Sequence, residues 1–327
     1  MMTWTRLKRK AKRARLCIRV RNKPPVAKAV EWVKSHRLAG SGIVAHHRTT
    51  NVTQEVTGYL IPTLYRAGER PLALELARWE AAVQRADGGF ACPTADIPYT
   101  FDTAQVARGF LAVLDDLPEL EAPLRRACDY VVRHIGPDGE IRNDSDESWR
   151  LPDGTTFSPY CNLYALPPLV EAGRRLGVPG YGQAVERSLD YYRRRPDLVT
   201  FKPELGSLSH IFGYLLQALV ELGETDLARR GLEQAAALQE PDGAIPAYPG
   251  APWVCSTGVA QIAIAWWKTG AQEPARRARR YLESIQNPSG GFYGSYGPDA
   301  RYLPNEEISW AAKYFIDLSL LTEDRYD

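Results

Sequence analysis

The chain has 327 residues, with 41 Lys or Arg against 39 Asp or Glu, 44% apolar and 24% charged residues. These values exclude disorder, collagen and coiled coil as descriptions of the whole chain. No apolar run approaches the roughly eighteen residues that span a bilayer.

The N-terminal segment is unlike the rest. Ten Lys or Arg fall between Arg6 and Lys23, and the first acid is Glu31. Removing those ten leaves 31 basic residues against 39 acidic, a net of −8, so a basic arm (residues 1–24) precedes an acidic body (residues 25–327). The arm reads either as a solvated tail or as an attachment to an anionic membrane face, with Trp4, Leu7, Leu16, Ile18 and Val20 as apolar contacts. An acidic body repels phosphate, which argues against a nucleic-acid partner.

The body then alternates two kinds of helical segment. One-sided, charged segments are predicted at about 25–37, 70–84, 121–135, 181–195, 225–239 and 272–286. Nearly uncharged segments begin near Glu55, Asp102, Ser158, Ser209, Cys255 and Ile308. A helix apolar all round is buried, whereas a one-sided helix faces water. Between them runs a repeated turn: Gln84-Arg-Ala-Asp87-Gly88-Gly89-Phe90, Gln239-Glu-Pro-Asp242-Gly243-Ala-Ile245 and Gln286-Asn-Pro-Ser289-Gly290-Gly291-Phe292. Pro137-Asp138-Gly139-Glu-Ile141 is a fourth copy without the Gln, and Ser41-Gly42-Ile43 and Leu198-Val-Thr-Phe201 are weaker ones. Six buried and six amphipathic helices predict an all-α fold, an (α/α)6 toroid in one domain, with the open solenoid as the alternative.

The five cysteines (Cys17, Cys92, Cys128, Cys161, Cys255) are odd in number and widely spaced, which fits a reducing cytoplasm rather than a disulfide framework. No cofactor is implied.

The Gln-x-x-x-Gly-x-aromatic turn resembles the repeat of squalene and terpene cyclases and of prenyltransferase β-subunits. Tyr99-Thr100-Phe101-Asp102-Thr103-Ala104 resembles the cyclase Asp-x-Asp-Asp-Thr-Ala segment, but Phe101 occupies the proton-donor position, and a hydrocarbon cannot protonate an alkene. A prenyltransferase-like zinc site would need Asp102, His210 and Cys255 together, without a motif match. A second resemblance spans more of the body: Glu55-Val-Thr-Gly58-Tyr59, Leu208-Ser-His210-Ile-Phe-Gly-Tyr214, Trp253-Val-Cys255-Ser-Thr-Gly258, Gly290-Gly-Phe-Tyr-Gly-Ser-Tyr296 and Trp310-Ala-Ala-Lys313. Together these look like toroid proteins of bacterial surface-polysaccharide biosynthesis. That resemblance implies a sugar-related role, on a fold shared with uronate lyases, unsaturated-uronide hydrolases and uronyl C5-epimerases.

In such a toroid the turn-side loops and the N-termini of the inner helices share one face. His46, His47, Glu55, Tyr59, Asp102, His210 and Tyr214 are the candidate catalytic residues there, and none is assigned to a metal. Arg48, Asn51, Gln54, Tyr99, Trp149, Tyr160, Asn162, Lys202, Glu204, Trp253, Tyr296, Tyr302, Asn305, Glu306 and Trp310 are the candidate substrate contacts. Aromatic faces pack on sugar rings, and amides, His and Arg bond hydroxyls or carboxylates. Proton abstraction at a uronate C5 would use His or Tyr as base, giving an epimerase or lyase. A glycoside hydrolase would use two carboxylates from Glu55, Asp102, Glu204 and Glu306. An isoprenoid enzyme and a non-catalytic glycan-binding scaffold are the further alternatives. The expected partner is a saccharide or lipid-linked saccharide, with an anionic membrane surface for the arm. Each residue also has an ordinary structural role open to it: Asp102 and Ser209 as helix N-caps, His210 as a core histidine, Lys313 and Asp317 as an i,i+4 pair.

Overall fold

The alternation of charged and uncharged segments becomes two concentric layers in the computed structural model, which describes residues 4–91, 96–143 and 154–323, with side chains from residue 10 onward. Helices α2 (Pro25–Ser35), α4 (Arg70–Val83), α6 (Glu121–Arg133), α8 (Pro179–Arg193), α10 (Thr225–Ala236) and α12 (Gln272–Ile285) form the outer layer. Helices α3 (Gln54–Arg66), α5 (Thr100–Val113), α7 (Leu166–Leu176), α9 (Ser209–Glu221), α11 (Ser256–Lys268) and α13 (Ser309–Thr322) form the inner one. Residues Ser256 to Trp266 of α11 are all buried, whereas α12 buries only Ala275, Ala278 and Leu282 and turns its arginines outward. That contrast is the physical content of the sequence pattern. Helix α13 packs on both α11 and α3, so the inner ring closes and the open-solenoid alternative is excluded.

The third inner element departs from the simple expectation. It begins as a 3-10 helix at Pro159–Ala165 and becomes α-helical only at Leu166. Pro167 and Pro168 explain the switch. Neither has an N–H to donate, so both sit at the start of an α-helix, and the residue before a proline disfavours the α conformation.

The repeated turn is a fastening between neighbouring outer helices. Gln84 Nε2 donates to Gly88 O within its own turn (3.1 Å) and to Pro123 O of α6 (2.9 Å). Gln239 repeats this with Gly243 O and Pro274 O, and Gln286 with Gly290 O and Pro25 O. Gly88 and Gly290 have φ of 90° and 91°, and each presses on a carbonyl of the next outer helix, where a Cβ would collide. Glycine is needed there for both conformation and space.

The N-terminal arm is not simply solvated. It forms α1 (Trp4–Val20), and Leu16 and Val20, one turn apart, are buried in the core. Arg13 reaches Glu307 Oε1 at 2.7 Å, and Glu307 also accepts from Trp32 Nε1 (2.8 Å) and Ser289 Oγ (2.7 Å). These donors hold the Glu307 carboxyl below its ordinary range despite the opposing effect of burial. Glu307→Ala strands all three and is expected to cost about 3 kcal/mol. Urea unfolding measures that loss. Trypsin cleavage within α1 should accelerate in parallel, and unchanged cleavage would mean that Leu16 and Val20 suffice to hold the helix.

No helix among the described residues is long and apolar enough to cross a membrane. Cys128, Cys161 and Cys255 are buried free thiols and Cys17 is half-buried. Cys92 lies outside the described residues.

Candidate active site

Loops gather on the face where the inner helices begin. They are stitched there by short antiparallel bridges: Val254–Cys255 with Ser295–Tyr296, His46 with Ile308, and Tyr293 with Glu307. Beneath them, in the first turns of adjacent inner helices, stand Glu55 of α3 and Asp102 of α5. Burial raises the Glu55 carboxyl well above the usual carboxylate range, the Asp102 charge raises it further, and Lys313 opposes the rise. Burial raises Asp102 to about 7. A helix N-terminus pulls a carboxyl the other way, so desolvation is the stronger influence at both positions. The N-cap of α5 is Tyr99, and Asp102 lies inside the helix without a cap bond, so its N-cap reading is overturned. Ser209 is the first residue of α9 and likewise makes no cap bond.

Around this pair the ring is filled with aromatic side chains. Tyr59 and Tyr314 are 6.3 Å apart between centroids, Phe101 meets Tyr214 edge-on at 4.9 Å, and Tyr214 lies 6.0 Å from Tyr314. His210 lies 4.6 Å from Tyr214 and 5.9 Å from Tyr302, whose ring meets Phe157 edge-on. The bore is thus closed at mid-depth by phenol rings, with the carboxyl pair on the loop side. Burial and the Glu55 charge push the Tyr59 hydroxyl upward, so it stays protonated and can donate. Its oxygen has no hydrogen-bond partner among the described residues.

His210 is buried, as a core histidine would be, and its ring is tied to the neighbouring inner helix. Its Nδ1 lies 2.7 Å from Gln261 Oε1. With an amide oxygen accepting, Nδ1 carries the proton and Nε2 keeps its lone pair. Burial pulls the imidazole down to about 4, so it is neutral at neutral pH.

The remaining candidates separate into groups. Tyr160 donates to Asp197 Oδ1 (2.6 Å) and Lys202 to Asp197 Oδ2 (2.8 Å). This trio lines a groove of about 260 Å³ beside the mouth, with Phe157 in its wall and Glu204 at its edge. His46 pairs with Glu306 (Nδ1 to Oε2, 3.1 Å), and His47 Nδ1 accepts from the Glu307 N–H (2.9 Å). Those histidines join the first loop to the last. Tyr99, Trp253 and Asn162 are buried, and Trp253 meets Tyr248 edge-on. The Tyr296 hydroxyl accepts from the Tyr293 N–H (2.8 Å). Gln54 and Trp310 are half-buried, while Arg48, Asn51, Glu204 and Asn305 are exposed. Trp149 and the Asp144-Ser-Asp146-Glu147 loop lie outside the described residues.

Two residues were not among the sequence candidates. Gln261 fixes the His210 tautomer. Lys313 lies with its Nζ 3.5 Å from the Tyr314 ring centroid and 5.4 Å from that of Tyr59. Its 3.0 Å pairing with Asp317 is the structural pair expected from their spacing. A lone Lys in the apolar stretch Ala311–Ile316 is the signal for a second role. No cluster of three His, Cys, Asp or Glu suited to a metal occurs among the described residues, so Asp102, His210 and Cys255 do not assemble as one.

No family model and no curated protein matches the sequence. Solved structures do match in shape. An unsaturated glucuronyl hydrolase from Bacillus sp. GL1 is 17% identical, with a TM-score of 0.67 over 91% of this chain and 95% of that one. A structure described as a novel alpha-amylase from Clostridium perfringens is 11% identical, with a TM-score of 0.68 over 92% and 98%. A polysaccharide lyase is 14% identical, with a TM-score of 0.62 over 92% and 97%. The chain is an (α/α)6 toroid. At these identities the likeness is one of fold.

Proposed function

We propose that this protein is a carbohydrate-processing enzyme that cleaves a glycosidic linkage by acid–base chemistry at Glu55 and Asp102. The observation that carries the reading is the pair of neighbouring carboxyls, Asp102 buried and Glu55 half-buried, both raised toward the protonated form beneath the loops of the face where the inner helices begin. Two neighbouring carboxyls with raised affinity for protons share one proton near neutral pH. In this reading Glu55 carries it and protonates the departing glycosidic oxygen. Asp102, ionised, receives the proton of the attacking water. Tyr59 and Tyr302 supply hydroxyl donors to the sugar, and the Tyr160–Lys202 groove supplies a neighbouring subsite for a second sugar. The hydrolase and lyase names borne by the structural neighbours support the substrate class.

The segments resembling surface-polysaccharide proteins favour a surface glycan, free or lipid-linked, and a role in its biosynthesis. The exposed face of α1, with Lys12, Arg15, Ile18 and Arg19, favours contact with an anionic membrane. Phe101, fully buried against Tyr214, is a packing residue, which weighs against the isoprenoid alternative.

Neutral His210, its tautomer set by Gln261, supports a second reading, in which Nε2 abstracts a uronate C5 proton. One experiment separates the two. Purified protein is offered nitrophenyl glycosides, unsaturated-uronide oligosaccharides and saturated uronates in deuterated water. Hydrolysis that disappears in Glu55→Gln and Asp102→Asn supports the first reading. Deuterium entering C5 without cleavage, and lost in His210→Gln, supports the second. Inertness toward the whole panel would leave a glycan-binding scaffold.

A further inference from the structure

At the other end of the bore, where the inner helices finish, the ring opens into a cavity of about 460 Å³. The phenol rings of Tyr59, Tyr214 and Tyr314 separate it from the carboxyl pair, and nothing in the proposed reaction uses it. Four cations line it: Arg66, Arg108, Lys268 and Lys313. Two acids face them. Glu221 holds Arg108 at 2.8 Å and Lys268 at 3.1 Å, and Asp317 holds Arg66 at 2.8 Å and Lys313 at 3.0 Å. Asp317 also accepts from Thr63 (2.7 Å). The third acid of the lining, Glu171, is taken by Arg174 at 2.7 Å. Each inner acid is therefore shared by two cations, which leaves an excess of two positive charges in a concave, partly dry space.

We propose that this second mouth is a binding site for an oxyanion, a carboxylate or phosphate carried on a small molecule, held chiefly by Arg66, Arg108 and Lys268. Three observations support it. Arg108 gives Glu221 a bond from Nη1, while its Nε and Nη2 donors are buried without a partner. Guanidinium and ammonium groups converging on one cavity match the several acceptors of an oxyanion. Lys313 is pulled down to about 8 by burial even with Asp317 beside it, so that acid does not fully offset the cost of burying this ammonium. Tyr164, with the Arg108 guanidinium 4.4 Å from its ring centroid, and the Pro167–Pro168 edge offer an apolar wall for the body of such a ligand.

The test is calorimetric titration of the full chain with inorganic phosphate and, separately, glucuronate, at low ionic strength against matched chloride. At least one is expected to saturate with a Kd below about 10 mM. Arg66→Ala and Lys268→Ala, both partly exposed and outside the core, are expected to weaken it about tenfold each. Glu55→Gln is expected to leave it within about twofold, because it acts at the opposite mouth. Phosphate binding alone, or glucuronate binding alone, identifies the ligand's charged group. The proposal is overturned if neither saturates in that range, or if binding survives both cation replacements unchanged. Loss of binding in Glu55→Gln alone would overturn it too. The outcome is independent of whether the chain hydrolyses glycosides.

Discussion

Asp102→Asn is expected to lower turnover by about a thousandfold on any glycoside found to be a substrate, the usual contribution of a positioned acid–base group, and at the same time to stabilise the fold above neutral pH. The two effects have one cause. Burial raises the Asp102 carboxyl to about 7, so the folded state prefers it protonated, whereas the unfolded chain ionises it near its ordinary 3.8. Between those values the folded state binds more protons than the unfolded one. Stability therefore falls as pH rises through that window, and the penalty is complete above it. Asn keeps the shape and cannot ionise. Its melting temperature should exceed that of the wild type at pH 8, by about 3 °C, and match it at pH 4. His210 acts in the opposite window. Its folded value of about 4 lies below the ordinary 6.5, so stability falls as the pH drops from 6.5 toward 4, and His210→Gln removes that slope. Calorimetric scans across pH, with kinetics on the same samples, check both. An Asp102→Asn that is inactive and also less stable at pH 8 would show that the carboxyl is a structural ion.

Gly109→Leu is expected to abolish folding, and Gly109→Ala to cost about 3 kcal/mol. Helices α3 and α5 pack through a pair of glycines. A Cβ on Gly109 would lie 2.6 Å from the Gly58 carbonyl oxygen and 2.9 Å from Ile61 Cδ1, and a Cβ on Gly58 would lie 2.7 Å from the Val106 Cα. Two of these contacts are backbone, which cannot swing aside. The same close approach brings the first turns of α3 and α5 together, so these glycines also set how strongly Glu55 and Asp102 feel each other. Gly182 of α8 is the control. A Cβ there meets nothing within 4 Å, and Gly182→Ala should stabilise by about 1 kcal/mol through helix propensity alone. Urea denaturation of the three variants ranks them directly. A well-folded Gly109→Leu would mean that α3 and α5 can move apart, and that the carboxyl pair is held less closely than the packing implies.

The layered fold was legible because burial is written along the chain in two registers, a charged one-sided helix and then an uncharged one, six times over. Helix α11 contains only one charge, Lys268 at its last position, and a helix apolar all round is an enclosed one. The carboxyl pair was visible for a related reason, since an acid in the first turn of an otherwise apolar helix is conspicuous. Its partners were less so. Which loop residues converge depends on how the loops pair. The bridge between His46 and Ile308 commits the adjacent histidines to a seam, a choice that sequence spacing does not contain. The docking of α1 was hidden for a compositional reason. Ten basic residues mask the two buried contacts, Leu16 and Val20, and the partner of Arg13 lies 294 positions away.

The glutamine fastening has a topological consequence. The link from Gln286 to Pro25 uses the same atoms as the link from Gln84 to Pro123, although one joins the last outer helix to the first and the other joins successive ones. The seam is therefore chemically the same kind of joint as the two interior ones that carry this glutamine. Strain applied at one joint is shared around the circumference, as load is in a hoop. A repeat removed from such a hoop leaves a gap that its neighbours cannot bridge without changing the curvature of the whole.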